Sequence, residues 1–327
     1  MRWSHVTVAI LAVLLFAWVM AHMNLASMVQ QLKAIRIAVP IVLAVSAIRL
    51  YLQSLNWSAS LKGQQLSIES GKLAAIRLAS QSIGYLTVFG PLISEPMKIK
   101  LLATPAEPTI TATFLDDGVY WFTSALVAIC GLLSLPLLTV HGAHYHSIPA
   151  VLVLGLALFF ITRRNSILSC VVRALGKRAP SCLICAEKVE ASIRTFRLEQ
   201  PALVNRMFWF HVASQLLIVS EVLVVLWTLH LPIHFLPVLA IEGVTRVLKF
   251  VSGWIPARLG SDEGGAISAF AVVGLSPVLG LALALTRRVR DLLWALIGII
   301  WLAWNSRGVS DQPGRMANVP TVEKEIS

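Results

Sequence analysis

Charge is scarce in this sequence. Only 13 % of its 327 residues are Asp, Glu, Lys or Arg, 57 % are hydrophobic, and the mean hydropathy of +0.78 is more than a water-exposed surface carries. A water-soluble globular enzyme is excluded. Cysteine is scarce too: the four present form no regular framework, which excludes a disulfide-stapled fold. GxSxG, HExxH and P-loop signatures are missing, and without a nucleotide site a primary pump is not expected. Negative charge is the rarer sign, with 16 Asp and Glu against 27 Lys and Arg and a formal net charge of +11. In a soluble protein that excess would suggest nucleic acid. In so apolar a chain it points to cytoplasmic loops facing anionic lipid head groups, and no nucleic-acid partner is expected.

What the sequence has is long apolar runs. A window of about 19 residues gives spans at Val6–Met23, Ala38–Trp57, Thr109–Leu138, Ile148–Ile161, Met207–Leu229 and Pro277–Trp304. The fourth is short and borrows Tyr145 or Thr162 at its ends. Leu78–Ile93 and Leu236–Ile255 are moderately apolar but interrupted, the first by Gly84, Gly90 and Pro91, the second by Gly243, Gly253 and the following Pro256. Both are expected to be re-entrant. The fold class is therefore an all-α, polytopic integral membrane bundle over residues 1–305, with a short polar cytoplasmic tail over 306–327.

Loop charge sets the orientation, because Lys and Arg in short loops stay on the cytoplasmic side. Nine basic residues lie between Arg163 and Arg206, namely Arg163, Arg164, Arg173, Lys177, Arg178, Lys188, Arg194, Arg197 and Arg206. That stretch is expected inside. The His141–Ser147 loop has three histidines and no Lys or Arg, so it is expected outside. Lys62, Lys72, Arg77, Lys98 and Lys100 fall inside if 78–93 dips in and returns, and both termini are then cytoplasmic. Lys33 and Arg36 are left outside as misfits. The chain is assigned on this basis to the cell inner (cytoplasmic) membrane.

Each half, about 1–145 and 146–305, then reads span, span, broken segment, long span, beginning on opposite sides. Such an inverted repeat is a transporter pattern. Gly90–Leu102 and Ile255–Phe270 occupy equivalent positions, each with a proline followed by an acidic residue, Glu95 or Glu263.

Four charges are the next feature. Pro277–Trp304 would be about 42 Å of helix, and Arg287, Arg288, Arg290 and Asp291 lie near its middle. A charge at the bilayer centre costs about 2.5–3.5 kcal/mol on insertion scales, so the four should face protein or water. Spacings of four (Arg287, Asp291) and three (Arg288, Asp291) allow pairing along one helix. The alternative is a loop at the cluster and a span beginning only at Leu292. In the matching helix, Asp116 and Asp117 carry the opposite sign and could face the arginines across a polar cavity, either as a structural ion pair or around a ligand. Glu95, Lys98 and Lys100, with Arg246, Lys249, Arg258, Asp262 and Glu263, add charge at the two broken segments, though Lys98 and Lys100 read more readily as ordinary snorkelling lysines. Gly264 and Gly265 would allow a head group close to a helix N-terminus. Glu221 and Glu242 are further candidates, with interhelical hydrogen bonding as the plain alternative.

Weaker signals stay weak. Cys182 and Cys185 form a lone CxxC, which Cys170 alone cannot complete to a zinc site, and His141, His144 and His146 have no carboxylate near them in sequence, so neither metal nor cofactor is expected. Val19–Ala21 could pass for a signal-peptidase site, but cleavage would remove the first span and break the repeat, so a retained helix is expected.

The runs Arg258–Trp294, Ile48–Trp57, GPLISEPMKIKLL at Gly90–Leu102 and TFLDDGVYW at Thr113–Trp121 resemble the flippase-like transmembrane domain of lysylphosphatidylglycerol synthases, over roughly residues 40–305. Pro91, Glu95 and Lys98 fit the family's first turn; Gly260, Glu263 and Arg288 or Arg290 fit its second half. Ser94 stands where glycine is usual, and Asp116 and Asp117 where an acidic residue often follows Glu and Arg. The double glycine after Glu263 and the RRVRDLLW run also look like the hopanoid-associated branch. The resemblance implies movement of a lipid or lipid-linked molecule between leaflets, with no catalysis by this domain. Only 23 residues follow Trp304, so the aminoacyl transferase of the two-domain synthases is expected to be missing.

Three functions compete: a flippase for an anionic or lipid-linked amphiphile, a membrane enzyme using Asp116, Asp117 or Glu95 as acid or base, and a non-transporting scaffold of a lipid-synthesis complex. Charges spread over two halves favour transport over a compact catalytic set. A membrane lipid is the expected substrate; a second copy of the chain and lipid-synthesis enzymes are the open protein partners. The expected translocation residues are Glu95, Lys98, Asp116, Asp117, Arg258, Glu263, Arg287, Arg288, Arg290 and Asp291, with the arginines meeting phosphate.

Overall fold

The computed structural model describes residues 36–87, 90–135, 138, 180–231, 234–252, 255, 258 and 260–308. Outside the described residues lie the expected spans Val6–Met23 and Ile148–Ile161, Val19–Ala21, Lys33, the His141–Ser147 loop with its histidines, Arg163–Arg178, Cys170, Gly253, Pro256 and the tail from 309 onward, as do the side chains of Pro91, Cys182 and Cys185.

Among the described residues all regular structure is helical: α1 (Ala38–Gly63), α2 (Ser70–Leu86), α3 (Gly90–Leu102), α4 (Ala106–Ser134), α5 (Pro180–Glu199), α6 (Pro201–Thr228), α7 (Phe235–Val251), α8 (Ser261–Val272) and α9 (Pro277–Gly308). Proline marks several starts. Pro180, Pro201 and Pro277 each begin a helix, where a missing N–H costs nothing and the fixed φ suits the first turn. Gly260, at the N-cap of α8, has φ +76, a left-handed backbone that glycine adopts without strain.

Three helices, α1, α4 and α6, are long and apolar enough to cross a membrane, with 26, 29 and 28 residues. Two run well past an end expected from hydropathy, α1 to Gly63 and α6 from Pro201, while α4 starts three residues early and stops at Ser134, short of the expected Leu138. The helix α9 is longer still at 32 residues, but Arg287, Arg288, Arg290 and Asp291 interrupt its apolar run. It is unbroken through that cluster, so the reading of a loop followed by a span from Leu292 is overturned. Intrahelical hydrogen bonds satisfy the backbone there, and partner side chains compensate the charges.

Polarity is distributed as in a membrane protein. Ile48, Tyr51, Trp209, Leu216, Trp227, Ile297 and Ile300 point outward, while Gln53, Asn56, Arg77, Asp116, His211, Gln215 and Glu221 are buried. Hydrocarbon tails accept the former; the latter need partners within the protein. Apolar packing is concentrated in two groups. Val222, Val225, Val238, Ile241, Phe270 and Leu283 join α6–α9, and Trp57, Leu61, Leu73, Ile76, Leu102 and Ala112 join α1–α4.

The first interrupted stretch holds most of α2, a break and the start of α3, which packs on α2; the second holds α7 alone, and α8, which packs on α7, begins beyond its end at Ser261. The breaks are not where every glycine suggested. Gly84 and Gly243 lie inside α2 and α7, where they permit contact of helix backbones: a Cβ on Gly84 would meet the Gly90 carbonyl oxygen at 2.7 Å, and one on Gly243 would meet Gly131 Cα at 2.8 Å. The second contact joins α4 to α7. The helices α9 and α2 meet likewise at Gly298, where a Cβ would lie 2.8 Å from the Leu78 carbonyl oxygen. Small residues at crossings are how helices approach closely in a medium that offers no hydrophobic drive between them.

Candidate functional site

A cavity of about 790 Å³ opens among α1, α2, α3, α4, α6, α7 and α9, a size typical of sites for small molecules or head groups. Eight cationic residues and five carboxylates line it. At its edge, Leu92, Trp121 and Phe250 are apolar and well exposed, and the Trp121 and Phe250 rings meet edge to face at 6.3 Å.

Asp116 is held from two sides. The Arg77 Nη1 donates to Asp116 Oδ2 at 3.0 Å and to the Gln53 carbonyl oxygen at 2.7 Å, and His211 Nε2 lies 2.9 Å from Asp116 Oδ1. All three charged or polar groups are buried. Arg77 is thus not the cytoplasmic loop charge that the charge count made of it. Its position on the inward face of α2, three residues before Ser80 and four after Leu73, turns it into the bundle. Gln53 reaches across to α6, donating from Nε2 to Ser214 Oγ at 3.2 Å.

Lys98 lies between two acids. Its Nζ is 2.7 Å from Glu95 Oε2 and 3.3 Å from Asp117 Oδ1, with the side chain only 3 % exposed, so it does not snorkel outward. The carboxylates outnumber the cation here.

The arginines of α9 are also paired, but not with Asp116 and Asp117. Arg287 reaches Glu221 on α6 at 3.2 Å and Glu242 on α7 at 2.7 Å. Arg290 pairs with Glu221 and, at 2.8 Å, with Asp291. Arg288 Nη2 donates to Glu263 Oε2 at 2.8 Å and to the Arg258 carbonyl oxygen at 3.3 Å. Arg246 completes the lattice through Glu242 at 3.0 Å, Ser124 Oγ at 2.7 Å and Gln215 Oε1 at 2.7 Å. The expectation that Asp116 and Asp117 would face the arginine cluster is therefore corrected: glutamates of α6 and α7 lie nearer and neutralise it, while Arg77 and Lys98 take up the aspartates. Within α9, Asp291 pairs with Arg290 rather than with Arg287 or Arg288. Removing one partner from such a buried set leaves an uncompensated charge at a cost of about 3–5 kcal/mol.

At α8 the sequence offered a phosphate site beside Gly264 and Gly265. Asp262 and Glu263 instead occupy the first turn, Glu263 facing Arg288 and Asp262 lying 3.8 Å from Arg258, so carboxylates already meet the positive helix end. Arg258 itself has φ +47 and is partly exposed at the cavity.

Two cavity cations differ from the rest. Arg49, in the middle of α1, and Lys249, near the end of α7, line the cavity but form no ion pair among the described residues, and Arg49 Nε is sealed from solvent with no acceptor. Arg49 could have been found from sequence as a charge inside an apolar span; Lys249 looked like an ordinary residue at the mouth of a broken segment. His211, Gln53 and Gln215 gave no signal, because a polar residue in an apolar run declares its partner only in three dimensions.

Among the described residues no three His, Cys, Asp or Glu side chains are grouped to hold a metal ion. The Glu95, Asp116 and Asp117 carboxylates all have cationic neighbours in hydrogen-bond contact. The site can therefore bind and solvate charge in the middle of an apolar bundle. No curated protein and no solved structure matches the chain. The family model described as the lysylphosphatidylglycerol synthase TM region matches residues 5–298. The chain is a membrane protein and belongs to that family, named for the transmembrane part of a lipid synthase.

Proposed function

We propose that this protein is a lipid flippase that carries an anionic or lipid-linked amphiphile between leaflets of the cell inner membrane, without chemistry of its own. The observation that carries this reading is the cavity: charged inside, rimmed by exposed apolar side chains, and rich in cations. A phosphate-bearing head group crossing hydrocarbon unassisted loses its hydration, and a polar path through the bundle replaces it. Acyl chains can stay outside, against Leu92, Trp121 and Phe250.

The chain acts in this reading as one membrane domain over residues 1–305 with two inverted halves and a cytoplasmic tail, both termini inside. Supporting the halves is a pair of matching contacts: the long helix α4 packs on the broken segment's α7, and the long helix α9 on α2. Supporting re-entry is length. The arms α2 and α7 have 17 residues each and α3 and α8 have 13 and 12, so at 1.5 Å per residue the longest reaches about 26 Å, short of a core of about 30 Å. Against an enzyme stands the pairing of every acid it would use with a cation.

Leaflet-resolved lipid analysis of cells with and without the protein tests the proposal. Transport predicts an anionic lipid retained in the leaflet where it is made, with total amounts unchanged. A changed head-group composition with unchanged leaflet distribution would favour the enzyme.

A further inference from the structure

We propose that Arg49 and Lys249, and not the arginine cluster of α9, form the seat for the phosphate of the transported head group. The inference rests on the transport reading and assigns its anion subsite. Positive charge in the cavity is unevenly compensated. Arg77, Lys98, Arg246, Arg287 and Arg290 each hold a carboxylate within 3.3 Å, so an incoming anion would have to break an existing pair to use them. Arg49 and Lys249 have no such partner among the described residues, and both line the same cavity. Glu221 and Asp291 act on Arg49 at a distance, and Asp262, Glu242 and Asp291 on Lys249, but none of them pairs with either cation. The cavity lining as a whole carries eight cations against five carboxylates, a positive surplus, and Arg290 already takes the short contact to Asp291.

A cation with no paired carboxylate in a low-dielectric site is poorly compensated, a cost that an anion in the shared cavity removes. Their chemistry is complementary to phosphate: Arg49 supplies a planar fork of donors, and Lys249 a point charge. Their positions suit a carrier. Arg49 is the twelfth residue of the 26-residue α1, hence at mid-depth, and Lys249 lies near the break between α7 and α8. A phosphate held there is bound jointly by a long span and a broken segment.

The test uses the purified full-length protein and three probes: phosphatidylglycerol, diacylglycerol, and inorganic phosphate. Binding and vesicle flipping are measured for wild type, for Arg49→Gln with Lys249→Gln, and for the charge-keeping pair Arg49→Lys with Lys249→Arg. We expect phosphatidylglycerol to bind and diacylglycerol not to. The Gln pair should lose about tenfold or more in affinity with unfolding temperature unchanged or raised, because no internal partner is stranded, and the charge-keeping pair should recover most of the loss. Inorganic phosphate binding as well as the lipid, lost in the same variant, would support the seat and identify a free anion as its ligand. Unchanged phosphatidylglycerol affinity and flipping in the Gln pair would overturn the seat and leave the flippase reading intact. Binding lost in the Gln pair, with no flipping by wild type, would keep the seat and defeat the flippase reading. If the Gln pair fails to fold, a structural role replaces the seat.

Discussion

At the scale of single residues, sequence exposed the charges but not their partners. Arg287, Arg288, Arg290 and Asp291 were legible as misfits in an apolar run, because a charge in hydrocarbon demands an explanation. Their answers, Glu221, Glu242 and Glu263, come from three other helices and could not be read from spacing along α9. Arg77 was misread for the same reason, since loop-charge counting assumes that a basic residue beside a span is wet, and here it is buried against Asp116. These pairings make different residues sensitive to different measurements. Arg77→Gln should lower stability by about 3–5 kcal/mol, seen as a fall in unfolding temperature in detergent, because Asp116 then keeps only His211. Lys100→Gln, at an exposed position, should change it by less than about 0.5 kcal/mol. Equal effects would mean that the Arg77 pair is not part of what holds the bundle. Arg288→Gln with Arg290→Gln should likewise act first on the fold, lowering the unfolding temperature by stranding Glu263 and loosening Glu221. A double variant that is fully stable would contradict the pairing.

At the scale of helices, hydropathy located α1, α4, α6 and α9 to within a few residues at most ends, since the signal is the apolar run itself. The interrupted segments were harder. Glycine inside an apolar stretch signals a break, a close approach or both, and only packing distinguishes them: Gly84 and Gly243 are contact points within helices, while Gly90 both starts α3 and meets Gly84. The distinction predicts opposite outcomes for one substitution. Gly243→Ala puts a methyl group against Gly131 Cα and the Ala128 carbonyl, 2.8 and 3.0 Å away, and should destabilise by about 1–3 kcal/mol. Gly118→Ala, in α4 with nothing within 4 Å, should stabilise by up to about 1 kcal/mol through helix propensity. Thermal unfolding of the two variants side by side reads the difference, and a harmless Gly243→Ala would mean that α4 and α7 are not in backbone contact. For re-entry, a cysteine at Thr87, between α2 and α3, should be unreactive to a bulky impermeant maleimide from either side of the membrane. Ready labelling from the side opposite Lys72 and Lys100 would mean that the pair of helices crosses completely.

At the scale of the whole molecule, composition settled early that the chain lives in a membrane, and the family assignment agrees. Topology rests on loop charge. With the four native cysteines replaced, a cysteine at His144 should label from outside intact cells and one at Arg194 only after permeabilisation; the reverse pattern would invert the molecule. What sequence could not supply was the common meeting place of its charges, because the cavity takes residues from seven helices that are far apart along the chain. Movement of lipid through that cavity is the central functional claim. Its most direct test is a reconstituted vesicle containing the purified protein and a fluorescent phosphatidylglycerol, with an impermeant quencher added outside. If the protein is a flippase, quenching proceeds past the outer-leaflet half at a rate that scales with protein copies per vesicle. Quenching that stops at one half in protein-containing and empty vesicles alike would contradict it.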